Sequence, residues 1–400
     1  MKKYNCIIAG GGAAGFAAAV GAAQAGAKVL LLDRMPCVGG TAVYAVTPIL
    51  SGWPKAVLGN AVGGMLGEEL KKLNAYEWRG NKIVTNEDDL QSAMMNILQR
   101  HNVDLLFNAE LSDVKVVDRR IESITVLCNG SRVQLFADNF VDATGDGSFS
   151  MLAGAETVVP SDEESMTKTL MFKVRNVKNF NRELVIETFA QNVQHFPVKI
   201  QDSFMGMPLT DPEEVVLNLT AVPGNAADPV IFSGMYKELF DQIEPIVDFM
   251  RKYIPGFADA VVSKVAPQVG VRYCRSVVCR RRLTVEDMFN PVMTDEPVAF
   301  CGSFIGGHFI KQFESPWGGS VTGNPAVPYG ALRVKAVDNL LVAGKIIDIE
   351  ARAISAVRLY AGCTATGQAA GIAAALNIPE YSVLRAELEK QNCMFWLAKK

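Results

Sequence analysis

The chain opens on an abrupt change of texture. Residues 4–9 are apolar and partly β-branched, the pattern of a strand buried on both faces. Three consecutive glycines follow. Residues 13–25 are then almost all small or good helix formers, and Gly26 stops them. Residues 28–32 form a second apolar run, closed by Asp33. This order predicts strand, turn, helix, strand. Residues 39–67, rich in Gly, Pro and small side chains, read as loops over a ligand. Residues 86–100, NEDDLQSAMMNILQR, predict an amphipathic helix capped by Asn86, with acids in its first turn. The runs VDLLFN, ELSDVKVVD, RIESITVLCNG and SRVQLFADNFVDATG predict strands in a β-meander, with Asn129-Gly130 as a hairpin turn.

From residue 159 the pattern changes. TKTLMFKVRNV and EEVVLNLTAV read as strands, and MYKELFDQIEPIVDFMRKYIPG as an amphipathic helix interrupted at Pro245. Near residue 328 the opening texture returns. VDNLLVAGKIIDIEARA predicts a strand and a glycine turn, GCTATGQAAGIAAALN a second small-residue helix, and residues 382–396 a last helix. The two ends therefore predict one discontinuous domain, 1–158 with 328–400, and residues 159–327 an inserted substrate-facing domain. The fold class is α/β: a Rossmann-like, three-layer dinucleotide-binding domain with a central parallel sheet and a β-meander, plus an α+β insertion.

The first turn carries the sharpest chemistry. Gly10 to Gly15 contain G-x-G-x-x-G between a strand and a helix. Gly10 permits the tight turn, Gly12 lets the backbone approach a pyrophosphate, and Gly15 lets the helix pack against the strand. The helix N-terminus offers free N–H groups and positive potential to phosphates. Asp33, 18 residues past Gly15, stands where an acid accepts from a ribose hydroxyl.

Composition narrows the classes. The hydrophobic fraction is 49% and the charged fraction 20%, enough apolar side chain for a sizeable core. A net charge of −3 gives no electrostatic case for nucleic acid, and the RRR run at residues 280–282 reads as a solvated face or local ion pairs. The eight cysteines are scattered, no C-x-x-C occurs, and Met1-Lys2-Lys3 leads straight into the first strand, so the expected compartment is the cytoplasm. Three histidines without ligand spacing predict no metal site, and no apolar run is long enough to predict a membrane span. The oligomeric state is open.

Several blocks together carry a resemblance: GGGAAG at residues 10–15, LLDR with Asp33 and Arg34, GGTA from Gly39, VDATGDG at 141–147, GVRYCR at 270–275, DNLLVAGKII at 338–347 and RLYAGCTATGQAAGIAAAL at 358–376. The chain resembles the FAD-dependent oxidoreductase family, with a glutathione-reductase-type FAD fold related to the flavoproteins of succinate dehydrogenase and fumarate reductase. The resemblance implies FAD as cofactor. It places the pyrophosphate on Gly10, Gly12, Ala13, Ala14 and Gly15, the adenosine ribose on Asp33, and Arg34 toward the adenine. It brings Gly39, Gly40 and Thr41 to the flavin phosphates or ribityl chain, and the backbone of Leu111 to the adenine edge. Ala143, Gly145 and Asp146 would cover the cofactor, and Gly344 would pass its phosphates or ribityl chain. A helix beginning near Thr366, Gly367 and Gln368 would aim its N-terminus at the flavin pyrimidine edge, where reduced flavin carries negative charge.

Two features depart from relatives on this fold. GGTAVYAVTPI holds no cysteine pair for disulfide chemistry, and no second G-x-G-x-x-G follows a strand, so reducing equivalents are expected from a small-molecule substrate or a small redox partner. No histidine precedes the GG motif for covalent flavin attachment; Cys37 lies there and reads as a small buried thiol. For chemistry at flavin N5, Arg272 and Arg275 are candidate carboxylate anchors, His308 the acid/base candidate, and Arg358 a substrate or flavin contact, against ion pairing with Asp348 or Glu350. His101 reads as a helix C-cap, and His195 has no patterned context. The expected function is hydride transfer between flavin and a small polar substrate: a hydroxy acid, an unsaturated acid or a sugar-like alcohol. The alternatives are a tRNA-modifying flavoprotein and an electron-transfer flavin subunit of a complex.

Overall fold

A computed structural model describes residues 3–52, 61–80, 82–289, 295–300 and 326–393. The opening reading holds. Strand β1 (Lys3–Ala9) runs into α1 (Ala13–Gln24) and then β2 (Val29–Leu32). The capped helix is α2 (Glu87–Arg100), where the Asn86 side chain accepts from Asp89 N at 2.8 Å. His101 is its C-cap residue, with Nδ1 2.9 Å from Ile97 O. Next come β3 (Asp104–Leu106) and the meander β4 (Ala109–Val117), β5 (Arg120–Cys128) and β6 (Ser131–Asp142). Asn129 and Gly130 both have positive φ, 48° and 78°, between paired residues Cys128 and Ser131, as a two-residue hairpin turn requires.

Strand β7 (Leu340–Val342) and helix α3 (Tyr360–Ala375) complete this unit from the far end of the chain. The parallel part of the sheet has the order β3-β2-β1-β6-β7. Strand β6 belongs to two systems, since its first half pairs antiparallel with β5 and its second half parallel with β1 and β7. Helix α3 lies tight along α1. A Cβ on Gly367 or Gly371 would overlap the carbonyl oxygen of Ala14 or Ala18, so only glycine permits this approach.

A second core is built mainly from Leu170–Val269, joined by Val46 and Val84, and holds the buried rings of Phe172, Phe189, Phe196, Phe204, Phe249 and Phe257 among aliphatic side chains. Its antiparallel sheet orders Gly206–Pro208, Val215–Leu217, Phe172–Arg175 and Val261–Val265. The expected broken helix is two helices, Pro229–Asp241 and Ile243–Tyr253. Pro245 sits in the first turn of the second, where its missing N–H costs nothing.

The apolar contacts divide more narrowly than the expected insertion 159–327. Met166 packs in the first core and Leu170 in the second; Val269 packs in the second and Tyr273 in the first. The segment from Tyr273 to Phe300 contributes to the first core, through the pairing of Ser276–Val277 with Thr157–Val158 and the contacts of Val298, Ala299 and Phe300. The chain thus crosses between cores at 166–170 and again at 269–273. The two crossings touch, as Thr169 and Gly270 exchange backbone hydrogen bonds.

Candidate functional site

The turn after β1 and two later loops form one cradle. Gly10 has φ 108°, and a Cβ there would overlap the Ala143 carbonyl, so the first glycine turn lies against the turn that follows β6. Gly39 N donates to Gly11 O at 2.8 Å, and Gly40 lies so close to Gly12 that a Cβ on Gly40 would sit 2.7 Å from Gly12 Cα. A Cβ on Gly12 would meet only Gly40 Cα, at 3.7 Å. No side chain caps α1 at Gly12, and Ala13, Ala14 and Gly15 open the helix, where backbone N–H groups have no intrahelical partner. Thr41 begins a short helix, Thr41–Tyr44, from N-cap Gly40.

Asp33 is 8% exposed at the end of β2. Its carboxylate accepts from Gly11 N and, at 2.8 Å, from Met35 N. Burial raises its affinity for a proton, while these two donors favour the ionised form. Arg34 reaches across to Asp146 at 3.4 Å, so the end of β2 and the turn after β6 are joined over the glycines. That turn is shaped by Asp142, fully buried, which accepts from Thr144 N and Oγ1 and from Ser150 N and Oγ at 2.6–3.0 Å. Leu111 lies half-buried in β4.

The second cluster stands where the chain crosses between cores. Arg272 donates from Nη1 to Thr167 O at 2.6 Å and from Nη2 to Asn218 Oδ1 at 3.1 Å. Thr169 Oγ1 also donates to Asn218 Oδ1, at 2.9 Å, which fixes that amide. Lys345 Nζ donates to Val271 O. Lys168, 1% exposed, donates to Ser165 Oγ at 2.6 Å and to Gly224 O. Arg275 donates to Met151 Sδ at 2.8 Å and to Ala227 O at 3.5 Å. Buried Nε atoms of Arg275 and Arg358 have no hydrogen-bond partner among the described residues. Every acceptor in this group is neutral. Burial, then the neighbouring Arg358, pushes Arg272 below the ordinary guanidinium range, and burial does the same to Arg358. Both stay protonated at neutral pH. Burial also holds Lys345 below the usual ammonium value and Lys168 down to about 8.

The structure brings most of the expected residues together and moves others. Arg272 and Arg358 are electrostatic neighbours. Arg358 does not pair with the acids weighed for it: Asp348 accepts from Cys279 N and faces Arg282, and Glu350 accepts from Val285 N. Helix α3 starts at Tyr360, so Thr366, Gly367 and Gln368 lie in its interior rather than at its N-terminus. Thr366 Oγ1 accepts from Gly344 N at 3.0 Å, Gly367 packs on Ala14, and Gln368 Nε2 donates to Gln391. His308 lies outside the described residues. His195 is exposed and stacks on Tyr253, which packs against the second core. Cys37 meets the Tyr44 hydroxyl at 2.7 Å. The RRR run is three ion pairs, Arg280 with Asp338, Arg281 with Asp287 and Arg282 with Asp348. Lys345, Lys168 and Asn218 were missed in the sequence, although a lysine after an apolar strand and Gly344 was a visible signal.

A family profile described as FAD dependent oxidoreductase matches residues 5–389. The chain belongs to that family. Dihydrolipoyl dehydrogenase of Acholeplasma laidlawii is 28% identical over 195 residues, 46% of this chain and 52% of that protein, so the match spans about half of each. A geranylgeranyl bacteriochlorophyll reductase-like protein of Thermoplasma acidophilum shares the fold with TM-score 0.53 and 14% identity over 99% of this chain and 81% of that one. A flavin-dependent brominase shares it with TM-score 0.52 and 12% identity over 98% and 83%. FAD is the cofactor of the family, and the open cradle at Gly12, the uncapped α1 and the cation-lined crossing fit its phosphates and flavin. Among the described residues no group of His, Cys, Asp and Glu is arranged for a metal, and no helix is long and apolar enough to cross a membrane.

Proposed function

We propose that this FAD-dependent oxidoreductase transfers a hydride between flavin and a small polar substrate that carries a carboxylate, with Arg272 as its anchor. The observation that carries the reading is the set of cations at the crossing, bonded among the described residues only to neutral oxygens and sulfur. FAD, when bound, supplies hydride acceptance and donation at N5. The chain's own residues bind, orient and exclude water. Asn218 and Thr167 hold the Arg272 guanidinium in one plane without neutralising it, so its charge is left for an anionic partner. This favours a hydroxy acid or an unsaturated acid over a sugar-like alcohol. Arg275 and Arg358 are its proposed companions, and His308 the proposed proton carrier.

The proposed FAD-binding contacts are the cradle glycines with Ala13, Ala14, Asp33, Arg34, Thr41, Leu111, Ala143, Gly145, Asp146 and Gly344. The proposed substrate domain is the second core with its two crossings. Residues 39–49 hold no cysteine for disulfide chemistry. A small redox partner is the proposed second source or sink of electrons.

The test is an anaerobic screen of small carboxylic acids and alcohols against the FAD-loaded protein, reading loss of flavin absorbance. A carboxylate should bleach it, and Arg272→Met should raise KM by roughly ten- to a hundredfold, the loss of one charge-assisted contact of about 1.5–3 kcal/mol. Bleaching by neutral alcohols alone, or an unchanged KM in Arg272→Met, would reject the anchor.

A further inference from the structure

Arg275 is a buried cation with poor partners. It is 9% exposed, yet its guanidinium meets only a thioether sulfur, Met151 Sδ at 2.8 Å, and a carbonyl at the limit of bonding, Ala227 O at 3.5 Å. Its buried Nε has no hydrogen-bond partner, and among the described residues no carboxylate pairs with it. The stem of the side chain lies against the turn after β6, since a Cβ on Gly147 would be 3.3 Å from Arg275 Cγ. That turn closes over the glycine cradle, so the guanidinium stands at the edge of the site.

Three segments of chain meet at Arg275, and each ends in exposed apolar side chains. The first is the short helix Ser148–Leu152, whose last residues are Met151 and Leu152. The second is the strand Thr157–Val158. It pairs Val158 with Ser276, so Val159 and Arg275 leave the ladder side by side. The third runs from Ala227 into the helix Pro229–Asp241, where the Asp228 side chain accepts from Val230 N and Ile231 N at 2.8 and 2.9 Å. Met151, Leu152, Val159, Val230 and Ile231 are 40–80% exposed. They are five of the thirteen large apolar side chains exposed among the described residues. Apolar side chains exposed singly are ordinary on a surface, but five grouped about one half-bonded cation form a patch of the kind that binds a ligand.

The two chemistries together select the occupant. A buried guanidinium with spare donors takes a carboxylate through charge-assisted bonds. The surrounding side chains take apolar surface out of water. We propose that Arg275 and this apolar ring bind an amphipathic carboxylic acid, its carboxylate against the guanidinium and its hydrocarbon chain across Met151, Leu152, Val159, Val230 and Ile231. The inference rests on the proposed function and narrows its substrate: the head remains a hydroxy acid or an unsaturated acid, and the ring adds an apolar tail.

The experiment uses the FAD-loaded protein and a series of straight-chain 2-hydroxy acids and 2-unsaturated acids that differ only in chain length, each below its micelle concentration. Anaerobic change in flavin absorbance gives KM. KM should fall about two- to fourfold for each added methylene, the range between half and full burial of that group, until the ring is covered. Leu152→Ser with Val230→Ser should flatten this dependence. Val383→Ser, which changes an exposed apolar side chain on another helix, should keep it. Arg275→Met should raise KM at every length by roughly tenfold or more, and Arg275→Lys should recover part of the loss. A wild-type KM indifferent to chain length, as a protein partner seated on the ring would leave it, overturns the inference while bleaching by short acids still upholds the proposed function. A dependence unchanged by the double serine variant overturns it as well. If Arg275→Met does not fold, the wild-type series and the double serine variant decide. Bleaching by no acid of any length would overturn the proposed function and this inference with it.

Discussion

Asn218 is where one atom decides a charge balance. It holds Arg272 through a neutral oxygen, with the amide fixed by Thr169. Asn218→Asp keeps the shape and adds a carboxylate 3.1 Å from the guanidinium. It should raise KM for an anionic substrate about tenfold or more while FAD stays bound, an internal ion pair having replaced the external one. Steady-state KM beside the flavin content of the purified variant checks this. Lys168 makes a different prediction, in stability. Its folded value is about 8 against an ordinary 10.5. Between these the unfolded chain holds the proton that the folded chain has released, so this group adds stability as pH rises through that window. Other buried thiols and phenols titrate there with the opposite sign, so the measurement is the difference between wild-type and Lys168→Met denaturation midpoints at either end of the window. That difference should move in favour of wild type as pH rises.

Helix α3 shows at the scale of an element both what sequence pattern reveals and where it stops. Its small residues predicted a helix packed close to another. Gly367 and Gly371 against Ala14 and Ala18 are that packing. Gly367→Ala should cost about 1–3 kcal/mol through overpacking, and should weaken FAD retention because α1 carries the phosphate cradle. Thermal melting with and without added FAD checks both effects. The start of α3 was not legible. Leu359 is its N-cap, with no side-chain bond, so none of the usual capping residues marks the boundary. The reading fell instead on the polar residues Thr366 and Gln368, which are buried inside the helix. Helix α2 is the contrast. Asn86 followed by three acids announces its start, and the Asn86 side chain caps it as expected. Asn86→Ala should cost about 1 kcal/mol in chemical denaturation. A terminus capped by its own side chain is visible in sequence, whereas one with no capping side chain carries no mark.

At the scale of the whole molecule the two cores are held by more than the crossings. Glu87 in the first turn of α2 meets Lys173, from the strand Phe172–Arg175 of the second core, at 2.7 Å, and both side chains are almost wholly buried. Lys264 lies 3.8 Å from the same carboxylate, and Glu214 lies 3.5 Å from Lys173. Texture and periodicity are local, and they led only to the expectation of two ends of one domain and an insertion. They could not show which insertion residue touches which helix, since Glu87 and Lys173 are ordinary surface residue types joined only by the packing of the cores. The pair has a consequence for cooperativity. Removing Glu87 takes the close partner from buried Lys173 and leaves it only Glu214 at 3.5 Å, a loss of up to about 3–5 kcal/mol, while replacing both with apolar residues of similar size is close to neutral. Glu87→Gln should therefore loosen the second core first. Limited proteolysis should cut within residues 170–269 before the FAD unit, while bound flavin stays protected. The double variant Glu87→Leu with Lys173→Met should restore single-step melting. If Glu87→Gln melts as one unit at the wild-type temperature, this pair does not couple the cores and the crossings do.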